Sequence, residues 1–155
     1  MKAIVQTAYG SPDRLELRDI DIPGIEDNGV LVEVHAAAVN ALDWHATRGM
    51  PYLIRMGTGL KKPKPTVLGV DLAGRVRAVG SKVTRLKPGD EVFGGTNGSF
   101  AEYTATVEDR LALKRAGFTY EQEATLHVAA MTALQGLCDK AQLRPGQSVL
   151  INGRL

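Results

Sequence analysis

Few side chains in this sequence could do chemistry, and they are widely spaced. The histidines are His35, His45 and His127, and Cys138 is the lone cysteine. A catalytic zinc needs about three protein ligands drawn from Cys, His, Asp or Glu, with one position left open. Gaps of 10 and 82 residues between the histidines match no compact zinc spacing. Each therefore reads as a surface or hydrogen-bonded histidine, with His45 the best placed of the three, beside the irregular stretch 50–66. Cys138 has no activating neighbour and falls among apolar residues, so it reads as a packing thiol. Asn40 has the character of a turn asparagine bonding its own backbone. Asp43, three residues on, suits capping or pairing near a short helix. Asp71 stands between apolar strand residues, where a carboxylate serves acid/base chemistry or holds structure by hydrogen bonds. Thr132 sits in a helical pattern, where a hydroxyl commonly bonds back to a carbonyl. The basic run Lys61-Lys62-Pro63-Lys64, interleaved with proline and without aromatics, reads as a solvated loop and not as a phosphate-binding patch.

The elements that must position these residues are mostly strands. Ala3–Thr7 and Leu15–Ile22 form two, joined through Gly10-Ser11-Pro12-Asp13. Asn28-Gly29 turns into the β-branched run Val30–Val34, suited to a central strand. Residues 42–49 have helical character and a glycine stop, whereas 50–66 carry three prolines and no clear period. The six glycines from Leu68 to Gly95 have the spacing of a bent β-unit. Val70, Leu72, Val76 and Val79 are its apolar points, and Gly74 marks a bulge or a close backbone approach. Lys87-Pro88-Gly89-Asp90 is a tight turn in which Pro88 presets φ and Gly89 supplies a positive one. Strands follow at Glu91–Phe93, Ser99–Val107 and Leu111–Leu113. Thr119 with Gln122 forms a capping box, so a helix begins at Tyr120. A second helix covers 125–139, with Val128, Met131, Leu134, Leu137 and Cys138 on one stripe. Ser148–Asn152 is an apolar strand of the parallel-sheet kind.

Composition narrows the class of function. At 155 residues the chain can bury a real core. Nineteen basic against 17 acidic residues leave a net charge of +2, too little for a nucleic-acid footprint. One cysteine excludes an internal disulfide framework and fits a reducing compartment. The first residues lack the long apolar region of a signal peptide, and no apolar run approaches membrane-spanning length. A cytoplasmic protein is expected, with neither a nucleic-acid nor a membrane partner.

The pattern G-x-D-x-A-G-x-V-x-x-V-G over Gly69–Gly80, followed by V-x-x-x-x-x-G-D-x-V over Val83–Val92, resembles the medium-chain dehydrogenase/reductase superfamily. It is most similar to the zinc-independent branch that contains the quinone oxidoreductases. The resemblance implies a mostly β fold with α: a GroES-like β-barrel over 1–118, then two helices and the first strand of an incomplete Rossmann cofactor domain over 119–155. It places the zinc ligands of the related alcohol dehydrogenases at Asn40, Val70 and Val128, and a proton-relay hydroxyl at Leu42. None of these residues serves those roles, so no metal is expected. The resemblance implies instead a hydride passed from NADPH to a quinone or an enone, the cofactor supplying the reactive hydride. Asn40, in the V-N-x-x-D pattern of Val39–Asp43, would line the nicotinamide pocket, with Asp43 and Trp44 beside it on the cofactor side. Thr132 would stand near the nicotinamide, Tyr52 over the substrate cleft, and Asp71 beside the vacant zinc position as a possible acid/base.

After Ser148–Asn152 the family pattern calls for a glycine-rich loop and a helix whose N-terminus holds the pyrophosphate. Only Gly153-Arg154-Leu155 follow. The expectation is thus an N-terminal part of an oxidoreductase, inactive alone and binding NADPH poorly or not at all. The alternative is an isolated GroES-like module that self-associates as a homo-oligomer through the 125–139 helix and the unpaired 148–152 strand.

Overall fold

Strand alternation and glycine placement decide the architecture seen in the computed structural model, which describes residues 1–64 and 67–153. The expected mixture of β and α is present. β1 (Lys2–Gln6) and β2 (Leu15–Asp19) form an antiparallel pair. Five further strands build one antiparallel sheet: β3 (Gly29–Ala38), β4 (Asp71–Val79), β5 (Glu91–Gly95), β6 (Tyr103–Val107) and β7 (Leu111–Leu113). Its order is β6-β3-β4-β5-β7, so the long β-branched run of β3 lies next to the glycine-patterned β4. Single bridges pair β1 with residues outside those five strands, Ala3 with Ala101 and Val5 with Val67. Closure needs continuous pairing between edges, and these bridges do not supply it. Among the described residues the sheets are therefore open, where a barrel was expected.

The core sits on one face of this sheet. Val30, Val32, Leu72, Val76, Leu86, Val92 and Leu111 are buried against one another, with Val79 and Val83 packed at the margin. Each such side chain contributes about 1.5–3 kcal/mol by leaving water. Gly74 makes the close approach anticipated for it. It pairs with Val34 beside a register shift in β3, and an added Cβ would overlap the carbonyl oxygen of Glu33. The turn before β5 also forms as expected, with Gly89 at φ 95° and the Asp90 N–H donating to the Lys87 carbonyl.

Of the helices, those at Tyr120–Ala124 and His127–Leu134 pack on the sheet. α1 (Ala41–Arg48) ends at a left-handed Gly49, as the glycine stop implied. The stretch 50–66, read as irregular, carries a 3₁₀ turn at Tyr52–Ile54 and a short α2 (Arg55–Thr58), while Pro65 and Thr66 lie outside the described residues. α3 (Tyr120–Ala124) starts at Thr119 through the capping box read from the sequence. α4 (His127–Leu134) runs on into a π-helical turn, Gln135–Lys140. Nothing among the described residues covers the far side of α4, so Met131, Leu134 and Cys138 are exposed, and Cys138 does not pack as expected. Residues 148–152 are not a strand either. Val149, Leu150 and Ile151 are 52%, 92% and 74% exposed, and a lone extended segment without a ladder partner forms no sheet. No helix among the described residues is long and apolar enough to cross a membrane.

Candidate functional site

The start of α1 is built by reciprocal capping. The Asn40 Oδ1 accepts from the Leu42 N–H at 2.8 Å, and the Asn40 N–H donates to Asp43 Oδ2 at 2.9 Å. This is the local role the sequence suggested for both residues. Asn40 also reaches outward, its Nδ2 donating to Asp71 Oδ2 at 3.1 Å. The other oxygen, Asp71 Oδ1, accepts from the Val128 N–H at 3.1 Å. One buried carboxylate, 2% exposed on β4, therefore joins the first turn of α1 to the first turn of α4. Val128 in turn offers its carbonyl to the Thr132 hydroxyl at 2.6 Å, the back-bonding arrangement.

Asn40, Asp43, Asp71 and Thr132 thus stand on one continuous path of hydrogen bonds. Asp43 is buried as well, and its hydroxyl neighbour Thr47 donates to the Asp43 carbonyl at 2.7 Å. Burial pushes the Asp43 carboxyl above its ordinary value; the Asn40 N–H opposes this and the nearby Asp71 charge adds to it. Two buried carboxylates thus lie near one another, and Asp43 borders a cavity. The cavity has a volume of about 170 Å³ and is walled by Leu42, Asp43, Ile54, Thr58 and Val70 among others.

Tyr52 and Trp44 lie apart from that path. Tyr52 is 66% exposed, and its ring packs on the Arg55 guanidinium at 4.7 Å; the same guanidinium lies 4.5 Å from the Tyr9 ring. Trp44 is half exposed, with Arg48 at 4.8 Å over its ring and His45 edge-on at 4.9 Å. Two of the histidines are engaged elsewhere: His35 stacks on Tyr120 at 4.5 Å, and the His45 Nδ1 meets the Met50 carbonyl at 2.7 Å. Among the described residues no three His, Cys, Asp or Glu side chains gather where a metal ion could be held. Two of the positions that the resemblance matched to zinc ligands, Asn40 and Val128, do meet, but through Asp71 and with an amide and a backbone N–H as the groups offered.

His127 was read from the sequence as a surface or hydrogen-bonded histidine, without the neighbour the fold gives it. Its ring lies against Gly95, where an added Cβ would overlap Nε2, and Gly95 pairs with Asp71 across the sheet. The signal was there in the Gly94-Gly95 pair: glycine inside a strand often marks a close approach. His127 also borders a groove of about 700 Å³ between β7 and α4, lined by Phe93, Leu111, Leu113, Leu126 and Met131.

The residues that the resemblance set beside a nicotinamide fit a cofactor only in part. Asn40 keeps one amide hydrogen and Thr132 its acceptor lone pairs, but residues 148–153 are not paired into a sheet and lead into no described helix. The groups that would cradle a pyrophosphate are not among the residues described.

The chain superposes on the quinone oxidoreductase from Coxiella burnetii with a TM-score of 0.82 and 31% identity, over 94% of this chain and 46% of that one. The chain belongs to the alcohol dehydrogenase GroES-like domain family, whose sequence profile matches residues 26–116. Among curated relatives, the 2-methylene-furan-3-one reductase of Solanum lycopersicum is 39% identical over 99% of this chain and 40% of its own length. The chloroplastic NADPH-dependent alkenal/one oxidoreductase of Arabidopsis thaliana is 39% identical over 97% of this chain and again 40% of its own. The chain spans less than half the length of these relatives. The resemblance read from Gly69–Gly80 is borne out.

Proposed function

We propose that residues 1–118 are the catalytic portion, and 119–155 the opening of the cofactor portion, of a cytoplasmic zinc-independent reductase that passes hydride from NADPH to a quinone or an enone. The observation that carries this reading is the Asn40–Asp71–Val128 cluster. At the zinc-ligand positions of the alcohol dehydrogenases it offers an amide and a backbone N–H held by one carboxylate, with neither thiolate nor imidazole. NADPH, when bound, supplies the hydride. In this reading Asn40, Asp43, Trp44 and Thr132 would hold its nicotinamide side and Tyr52 would cover the acceptor, with Asp71 holding Asn40 in place. By themselves the 155 residues hold the cofactor weakly and do not turn over.

Residues 1–152 joined to the cofactor half of the Coxiella burnetii enzyme test the reading. NADPH consumption with p-benzoquinone or methyl vinyl ketone is the expected result, and a folded chimera inert towards both would refute it. A fluorescence titration of the 155-residue chain alone gives the second arm, where micromolar NADPH binding would contradict the weak-binding claim.

A second reading, a self-associating module without catalysis, is favoured by the groove between β7 and α4 together with the exposed Val149-Leu150-Ile151 segment. An unpaired apolar strand and an open sheet edge are complementary surfaces.

A further inference from the structure

The basic run at Lys61–Lys64 gains a different meaning once its surroundings are seen. Between Asp43 and Asp71 the chain has no acidic residue, yet Arg48, Arg55, Lys61, Lys62 and Lys64 place five cations there. Elsewhere 14 basic residues stand against 17 acidic ones, so a chain of small net charge is strongly divided. Among the described residues none of the five cations lies within ion-pair distance of a carboxylate.

The same segment carries Leu53, Met56 and Leu60 at 76%, 76% and 72% exposure. It is held as a folded lobe, not a loose loop. The Arg55 Nε donates to the Gly49 carbonyl at 2.9 Å, the Tyr9 hydroxyl donates to the Gly59 carbonyl at 2.7 Å, and the Lys64 N–H donates to the Thr58 carbonyl at 2.6 Å. Ile54, Thr58 and Pro63 turn inward to wall the neighbouring cavity. Leu53, Met56 and Leu60 do not: side chains exposed to this degree form no concave ligand site.

We infer that the lobe Arg48–Lys64 is a docking surface for an anionic lipid bilayer. Exposed lysines without a carboxylate partner attract acidic headgroups, and projecting leucine and methionine side chains enter the headgroup–acyl boundary. A small molecule would need walls that these side chains do not provide. Leucine and methionine offer nothing to a phosphodiester backbone, which argues against nucleic acid. The contact is peripheral, so it requires no membrane-spanning helix, and it stands independently of the reductase reading.

Co-sedimentation of the purified 155-residue chain with vesicles tests the inference. The chain should pellet with mixed phosphatidylserine–phosphatidylcholine vesicles, release as salt is raised, and stay in solution with phosphatidylcholine alone. Combined Lys61→Glu, Lys62→Glu and Lys64→Glu changes should lower the partition coefficient about a hundredfold or more. Leu53→Ser with Met56→Ser, which leaves the charge intact, should lower it at least about tenfold. All five positions are exposed, so far-UV circular dichroism should match the unsubstituted chain. Failure to pellet with the mixed vesicles, equal pelleting with phosphatidylcholine alone, or unchanged binding by either variant would overturn the inference.

Discussion

Asp71→Asn isolates the contact on which the candidate site depends. The substitution keeps the side-chain shape but turns one oxygen into an NH₂ group. Asp71 accepts from Asn40 Nδ2 and from the Val128 N–H, so one of these donors must then face another donor in a site only 2% exposed. Losing a hydrogen bond to a charged group costs about 1.5–3 kcal/mol. Removing a negative charge from the first turn of α4 adds about 0.3–1 kcal/mol. Relief of the buried charge and of its repulsion with Asp43 offsets part of this, leaving a net loss of about 2 kcal/mol. For a chain of this size that lowers Tm by about 6 °C, read by circular dichroism. A melt within about 1 °C of the unsubstituted chain would refute the latch. The same variant tests the coupling to Asp43. The folded Asp43 pKa lies above its ordinary 3.8, so the fold favours the protonated form. Its contribution to stability is full below 3.8 and is lost as pH rises through the raised folded value. Without the Asp71 charge, the Asp43 carboxyl signal in a pH-dependent NMR titration should move down and the stability decline should shrink. An Asp43 titration that does not move would show that burial alone sets its value.

Gly74→Ala should cost about 3 kcal/mol or more in urea unfolding, because its Cβ overlaps the Glu33 carbonyl oxygen at the β3–β4 register shift; a loss no larger than that of an ordinary surface change would mean that the strands can separate freely there. If Val149-Leu150-Ile151 of one copy occupies the groove beside β7 of another, sedimentation velocity should show concentration-dependent association that Leu150→Asp abolishes, whereas a monomer at every concentration would remove the self-associating reading.

What could be read from the sequence followed from how local each determinant is. The Thr119–Gln122 capping box, the Gly49 stop and the Pro88-Gly89 turn depend on residues within four positions of one another, and all three form as expected. Gly74 was legible for a related reason, since a glycine within an apolar strand signals a close approach even when its partner is unknown. The strand expected at 148–152 failed because apolar, β-branched composition supplies a propensity and not a partner. Nor does a helical stripe say what will cover it: Cys138 has the spacing of a packed residue and the surroundings of an exposed one.

The site shows the same division. Asn40 and Asp43 could be assigned to capping from their spacing alone, but their link to α4 runs through Asp71, 57 residues before Val128. No local rule reaches that far. Because Asp71 holds Val128, and the Val128 carbonyl holds the Thr132 hydroxyl, the direction in which Thr132 presents its lone pairs is set from β4. Lys61–Lys64 is the converse case. Taken alone, the run is what any solvated loop looks like, and the prolines support that reading. Only the exposure of Leu53, Met56 and Leu60, fixed by turns that Tyr9 and Arg55 close from outside the run, sets apolar side chains beside unpaired cations. A charge run becomes an interaction surface through what the fold leaves uncovered next to it.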